Sequence, residues 1–241
     1  FLPDTLPQPK GWEIAASLKS AREVAGDFYD VFELPEGTIG LVIADVCDKG
    51  LGAALFMTLF RSLIRAASSI DALTQPEATG GISSSQRMKN AVSLTNNYVA
   101  MTHGKTGMFA TIFFGILDTR TGVLAYVNGG HVPPIVINQR GVREILRRTG
   151  PAVGIAPDAD YSISELVIEH GETLFGYTDG LTDTTNTAGE YFSEKDLVQL
   201  LAEAKPLSSL LEQVQDLVED HSTGIQQVDD ITMLAVRRLE P

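Results

Sequence analysis

Leu41-Val42-Ile43-Ala44-Asp45-Val46-Cys47-Asp48-Lys49-Gly50-Leu51-Gly52 is the stretch on which the fold turns. Its first half is an unbroken apolar run, as expected of a strand covered on both faces. Its second half is a turn: Gly50 and Gly52 permit a tight bend and close backbone approach, and Asp48 is placed to cap a helix start. From Gly50 to Ala67 the period changes. Leu55, Leu59, Ser62 and Ala66 mark one stripe, and Ala53, Met57, Phe60 and Ile64 mark its neighbour. A mostly buried helix is expected there, polar chiefly at Arg61 and Arg65.

Strands are expected upstream over 12–18 and 27–34, the latter paired with 39–44 across the turn Pro35-Glu36-Gly37. Downstream, 68–85 is rich in Ser, Gly and Thr and predicts a surface loop. A second helix is expected over 85–101, with Met88, Val92, Thr95 and Val99 on one side. Strands then recur over 108–117, 123–127, 132–138 and 142–146, with 164–168 and 172–178 as a further pair. Helices over 193–204 and 207–222 are separated at Pro206, Ser193 capping the first. The chain ends on a strand. The pattern predicts an α+β fold of two packed antiparallel β-sheets flanked by helix pairs, read as a single domain over 1–241.

Bulk properties narrow the function. A net charge of −13 argues against nucleic acid or anionic membrane as the main partner. A bound metal reverses the local sign, so a phosphate substrate stays open. No apolar run reaches the roughly 18 uninterrupted residues of a membrane span. The single cysteine, Cys47, forms no internal disulfide and fits a reducing, cytoplasmic setting. The start at Phe1, with neither initiator Met nor leader, reads as a piece cut from a longer protein.

The chemistry lies in aspartates at strand ends. Asp45 follows one apolar run, Asp179 follows Thr173-Leu174-Phe175-Gly176-Tyr177-Thr178, and Asp229 and Asp230 precede Ile231-Thr232-Met233-Leu234-Ala235-Val236. Asp27 stands just before another strand, and Asp183 returns a carboxylate towards Asp179 after the Gly180 turn. Each motif has a bland alternative: an Asp-Gly hairpin with solvated acids at 179–183, and two acids in a turn before an edge strand at 229–230. Together they describe ligands from different elements. Carboxylates brought close stay ionised only when cations neutralise them, and hard divalent cations suit all-oxygen sites. Two such ions about 3.5–4 Å apart can bind a phosphate and activate water for in-line attack. The Val46 carbonyl offers a further oxygen.

Five segments then occur in order: Ala25-Gly26-Asp27-Phe28-Tyr29-Asp30, Ala44-Asp45-Val46-Cys47-Asp48-Lys49-Gly50, Asn128-Gly129-Gly130-His131-Val132-Pro133-Pro134, Thr178-Asp179-Gly180-Leu181-Thr182-Asp183 and Asp229-Asp230-Ile231-Thr232. From about Leu6 to Arg237 the chain resembles the metal-dependent protein phosphatase (PPM) family, in its bacterial branch of stage II sporulation and sigma-factor-regulating environmental phosphatases. The resemblance implies a metal-dependent serine/threonine protein phosphatase that hydrolyses phosphoserine or phosphothreonine by metal-activated water. It implies that Asp45 bridges two Mn2+ or Mg2+ ions with help from the Val46 carbonyl. Asp179 and Asp229 match further catalytic metal-binding acids, and Asp27 binds metal directly or through water. Asp183 and Asp230 are assigned outside that set, as supporting groups or ligands of a weak third ion. The implied substrate is a phosphorylated STAS-domain anti-sigma-factor antagonist, with a sensor domain upstream in the parent chain; a homodimer is compatible with it. Ala25 departs from the glycine usual in this branch, and Arg22 takes no phosphate-binding role by match.

The remaining residues have simpler readings. His131 is either a proton donor to the leaving serine oxygen or a turn histidine, the structural role being the simpler one. Cys47 sits among acids that raise its pKa and is expected to pack rather than react. Lys49 either attracts phosphate or pairs with Asp48, the pairing being expected. The competing functions are a catalytically degenerate phosphoprotein-binding module and a structural calcium module. The acids do not fall in the loop spacing that calcium modules often use.

Overall fold

The structure, a computed structural model, describes residues 2–74, 83–203 and 205–241. Its strands are β1 (Trp12–Lys19), β2 (Phe28–Leu34), β3 (Thr38–Val46), β4 (Ala110–Asp118), β5 (Val123–Gly129), β6 (Ile135–Asn138), β7 (Gly141–Ile145), β8 (Ser164–Val167), β9 (Thr173–Tyr177) and β10 (Ile231–Arg238). Its helices are α1 (Leu51–Thr74), α2 (Ser84–His103), a single turn α3 (Asp179–Thr182), α4 (Glu194–Leu201) and α5 (Leu207–His221). Among the described residues the strands form two antiparallel sheets, ordered β1-β10-β9-β6-β7 and β2-β3-β4-β5-β8.

β3 shows why its run is continuously apolar. Ile39, Leu41 and Ile43 enter the core between the sheets, where they meet Trp12, Phe113, Leu174 and Val236. The alternate residues Val42, Ala44 and Val46 face the helix layer with Ala53, Phe60 and Ile64 of α1 and Met88 and Val92 of α2. On the other side α4 and α5 cover the first sheet through Leu197, Leu210 and Val214 packed on Phe175 and Met233. The order is helices, sheet, sheet, helices, as the α+β reading expected.

Three local expectations are corrected. Strands 164–168 and 172–178 do not pair with each other: β8 adds to β5 in one sheet, whereas β9 lies between β10 and β6 in the other. β10 is therefore interior, not an edge. The loop expected from residue 68 begins later, because α1 runs on to Thr74. Ser68 is satisfied inside the helix, its hydroxyl donating to the Ile64 carbonyl at 2.6 Å and its own carbonyl accepting from Arg87 at 2.8 Å. The remainder of that expected loop, 75–82, lies outside the described residues. In α1 the stripe Ala53–Met57–Phe60–Ile64, continued by Ala67, is core, whereas Leu51 and Leu55 are exposed.

Over Leu51–Ile70 α1 is long and apolar enough to cross a membrane by composition alone. Its Arg61 and Arg65 instead turn inward onto Asp30 of β2, which is 1% exposed. Arg65 closes a two-pronged pair through Nε at 2.9 Å and Nη2 at 2.6 Å, and Arg61 Nη2 adds a third bond at 3.2 Å. Asp30 shares a strand face with Phe28 and Phe32, so it reaches the helix layer through the core.

Candidate active site

The acids gather at one end of the sandwich, on the seam between the sheets. Asp45 is the penultimate residue of β3, opposite Thr111, and Asp27 directly precedes β2, whose first residue Phe28 pairs with Ala44. Across the seam, Thr178 and Asp179 follow β9, and Asp229 and Asp230 precede β10; the Thr178 N–H donates to the Thr232 carbonyl at 3.1 Å. Asp27 ties the two sides. Its Oδ2 accepts the Thr178 hydroxyl at 2.7 Å and the Thr232 hydroxyl at 2.8 Å.

The electrostatics show how close these groups come. Burial pushes the Asp27 carboxyl well above the usual carboxylate range and Asp45 adds to it; the two threonine hydroxyls pull the other way, and Asp230 raises it further. Asp45 is pushed up to about 6 by burial and then by the charges of Asp179 and Asp229, with a bond to Asp27 working against them and Asp230 adding to them. Asp179 rises through burial, Asp183 and Asp229, offset by the Gly180 N–H and by Lys49. Asp45, Asp179 and Asp229 therefore repel one another, with Asp27 joined to them through Asp45 and Asp183 on the Asp179 side. Repulsion of this kind is what a bound cation relieves.

Asp230 is placed differently. Its Oδ1 accepts the Ala21 N–H and its Oδ2 the Gly26 N–H, each at 2.8 Å, so it pins the loop that carries Asp27. That loop also packs on the Asp45 turn: a Cβ on Gly26 would lie 3.2 Å from the Val46 carbonyl oxygen. Asp179 opens α3 instead of a hairpin, and the Asp183 N–H returns to the Asp179 carbonyl at 2.7 Å. A Cβ at Gly180 would collide with the Asp230 carbonyl, so only glycine lets this turn lie against the 229–230 segment.

Lys49 does not pair with Asp48. The Asp48 carboxylate instead accepts the Lys49 N–H at 2.8 Å, and the Lys49 amine reaches Asp229 Oδ2 at 2.6 Å and the Val228 carbonyl at 2.9 Å. Sequence distance hid this contact; a cation beside a predicted acid site was the available signal. Asp30 was also missed, although a charge in phase with Phe28 and Phe32 on a buried strand demands a partner.

His131 is fully enclosed at 1% exposure, its Nδ1 3.0 Å from the Thr111 hydroxyl. Burial lowers its pKa to about 4, Arg148 adds to the effect, and the Tyr177 and Thr111 backbone only partly offset it. It is a neutral turn histidine at ordinary pH. The Cys47 thiol is pushed up by burial, with Asp45 and Asp48 adding to a shift that the Phe109 N–H partly offsets. Beside the cluster a cleft of about 470 Å3 opens between α3 and the end of α5, lined by Asp183, Val218, Ile225, Val228 and Asp229.

Among the described residues no three His, Cys, Asp or Glu side chains already close on a single metal position. The donor chemistry nevertheless fits a hard divalent ion: oxygen only, several anions, and carboxylates destabilised by one another.

Residues 35–239 match the family model described as stage II sporulation protein E (SpoIIE). The chain is 42% identical to Protein IcfG of Synechocystis sp. over 99% of its own length and 40% of that protein's. It is 29% identical to the phosphoserine phosphatase RsbU of Bacillus subtilis, covering 97% of this chain and 65% of RsbU. The chain thus spans less than two thirds of either relative. Among solved structures, the RsbU and RsbW domains of Rv1364c from Mycobacterium tuberculosis superpose with a TM-score of 0.73 at 26% identity, over 96% of this chain and 61% of that one.

Proposed function

We propose, from the premise that this chain belongs to the stage II sporulation protein E family, that residues 1–241 are one serine/threonine protein phosphatase domain. Its reaction is hydrolysis of a phosphoserine or phosphothreonine ester: water adds to phosphorus, and the serine or threonine oxygen leaves and takes a proton. The observation that carries this reading is the meeting of Asp27, Asp45, Asp179 and Asp229, drawn from both sheets, in one cluster where burial and mutual repulsion raise the pKa of Asp45 to about 6.

Asp45, Asp179 and Asp229 would hold divalent Mn2+ or Mg2+ ions, with Asp27 and the Val46 carbonyl beside them. Such ions, when bound, draw charge from phosphate oxygens and lower the pKa of water enough to supply a nucleophile near neutral pH. The chain's own residues fix the rest. The Thr178 and Thr232 hydroxyls aim the Asp27 carboxylate towards Asp45. Asp230 holds the 21–27 loop in place through two backbone N–H groups. No protein nucleophile is needed: the Cys47 thiol is shifted away from its thiolate by burial. Enclosed and neutral, His131 does not serve as the proton donor, so the leaving oxygen is protonated from solvent. The cleft beside Asp229 takes the polypeptide next to the phosphorylated residue.

The substrate we propose is a phosphorylated STAS-domain anti-sigma-factor antagonist, encountered in the cytoplasm, with a sensor domain upstream in the parent chain. RsbU, a phosphoserine phosphatase by name, supports the reaction class. The test is release of phosphate from a phosphoserine-bearing STAS domain with Mn2+, with and without chelator. Chelator-sensitive turnover is expected. Binding of the phosphorylated domain without turnover would identify a degenerate recognition module instead.

A further inference from the structure

The two carboxylate oxygens of Asp229 are not equivalent. Oδ1 accepts the Asp230 N–H at 3.0 Å and is fixed by the backbone. Oδ2 is bound instead by a side chain, the Lys49 amine at 2.6 Å. The same amine also donates to the Val228 carbonyl at 2.9 Å, so it bridges the chain leading into Asp229. Asp48 sends it there. Asp48 adopts φ 73°, a left-handed conformation that turns the chain sharply, and its carboxylate locks the Lys49 N–H. Lys49 also reaches Asp179 electrostatically, holding that carboxyl lower than burial and its acidic neighbours alone would leave it.

We propose that Lys49 is a tethered counter-ion of the acid cluster, which a divalent cation must displace from Asp229 in order to bind. This rests on the metal-site reading above and adds to it a residue that sets metal affinity. Lys49 offsets part of the cluster's charge while no metal is bound, and its amine and the metal compete for the Asp229 carboxylate. Displacement is feasible because the Lys49 side chain is 34% exposed and that of Asp229 42%, so the freed amine returns to water.

The test is calorimetric titration of chelator-stripped protein with Mn2+. Lys49→Met is expected to bind Mn2+ about fivefold more tightly than wild type, the factor matching the upper range of an exposed ion pair. Lys49→Arg, which keeps the charge, is expected to stay near wild type. The metal-free Lys49→Met protein should unfold at lower temperature than wild type, and saturating Mn2+ should close the gap. In wild type, the rate of Lys49 acetylation, read by mass spectrometry, should rise when Mn2+ is added; this readout stands even if the substituted chains do not fold. Wild-type binding with no tightening in Lys49→Met, or an acetylation rate indifferent to Mn2+, would overturn the proposal and leave the metal site standing. No heat of Mn2+ binding in wild type would remove the metal site itself, and the proposal with it.

Discussion

Replacing Asp30 by Asn tests how α1 is fastened behind the active site. The substitution keeps shape and volume but removes the charge that faces Arg61 and Arg65. Breaking a buried ion pair by removing one partner costs about 3–5 kcal/mol when both charges stay buried. Here Asp30 is 1% exposed, whereas Arg65 is 41% exposed at its side chain, so water recovers part of that guanidinium. Arg61, at 16%, is left poorly solvated against an amide that offers one acceptor in place of two charged oxygens. The expected loss is therefore about 2–3 kcal/mol, which for a chain of this size lowers the melting temperature by about 4–12 °C. Urea unfolding with chelator present, followed through the single buried Trp12, measures it free of metal linkage. Arg65→Gln combined with Asp30→Asn should lose less than the sum of the two alone, by at least about 1 kcal/mol. A loss under about 0.5 kcal/mol, or strict additivity, would refute the reasoning.

Other outcomes follow from the site. Asp179→Asn should lower phosphoserine turnover on the order of a hundredfold or more while leaving the metal-free unfolding midpoint unchanged or raised, since a repelling charge is lost; retained turnover on the STAS-domain substrate would count against its role. Gly180→Ala drives a methyl into the Asp230 carbonyl and should cost about 1–3 kcal/mol and weaken Mn2+ binding, both readable in one titration series; wild-type values would show that the turn gives way easily. His131 contributes a pH dependence of known sign. Its folded pKa of about 4 lies below the unfolded value near 6.5, so folding is unpenalised above pH 6.5 and loses about 3 kcal/mol as pH falls from 6.5 to 4. The raised carboxyl of Asp45 acts in the opposite direction, but it is common to wild type and His131→Leu, so the difference between their stability–pH curves isolates the histidine. Parallel curves would show that His131 titrates normally.

The sequence made the layered architecture readable because β3 is apolar on both faces and the first two helices change the apolar period from that of a strand to that of a helix. The acid positions were readable for the same reason: a charge at the end of a buried strand stands out against its neighbours. Strand partnership was less accessible. Nothing local in 164–168 or 172–178 records that the two segments belong to different sheets, since sequence neighbours pair by default. The serine-rich end of α1 misled because composition cannot show that Ser68 is satisfied by Ile64 and Arg87. Asp230 was expected as a supporting group or a ligand of a weak third ion, but composition could not show which backbone it holds: its oxygens accept N–H groups of a loop some two hundred residues away in the chain. Lys49 was misassigned to its neighbour Asp48 because proximity in sequence outweighed an acid at position 229 that only folding brings near.

The seam location of the acids has a consequence of its own. Asp27 and Asp45 ride on one sheet and Asp179 and Asp229 on the other, and the second of these sheets draws β1 from the start of the chain and β10 from its end. A truncated or half-synthesised piece that stops anywhere between Asp27 and Asp229 lacks at least one of the four. On the phosphatase reading proposed above, a site that needs all four forms only when the sandwich shuts, so activity would double as a certificate of finished folding, and a partly made chain would stay silent towards phosphorylated proteins.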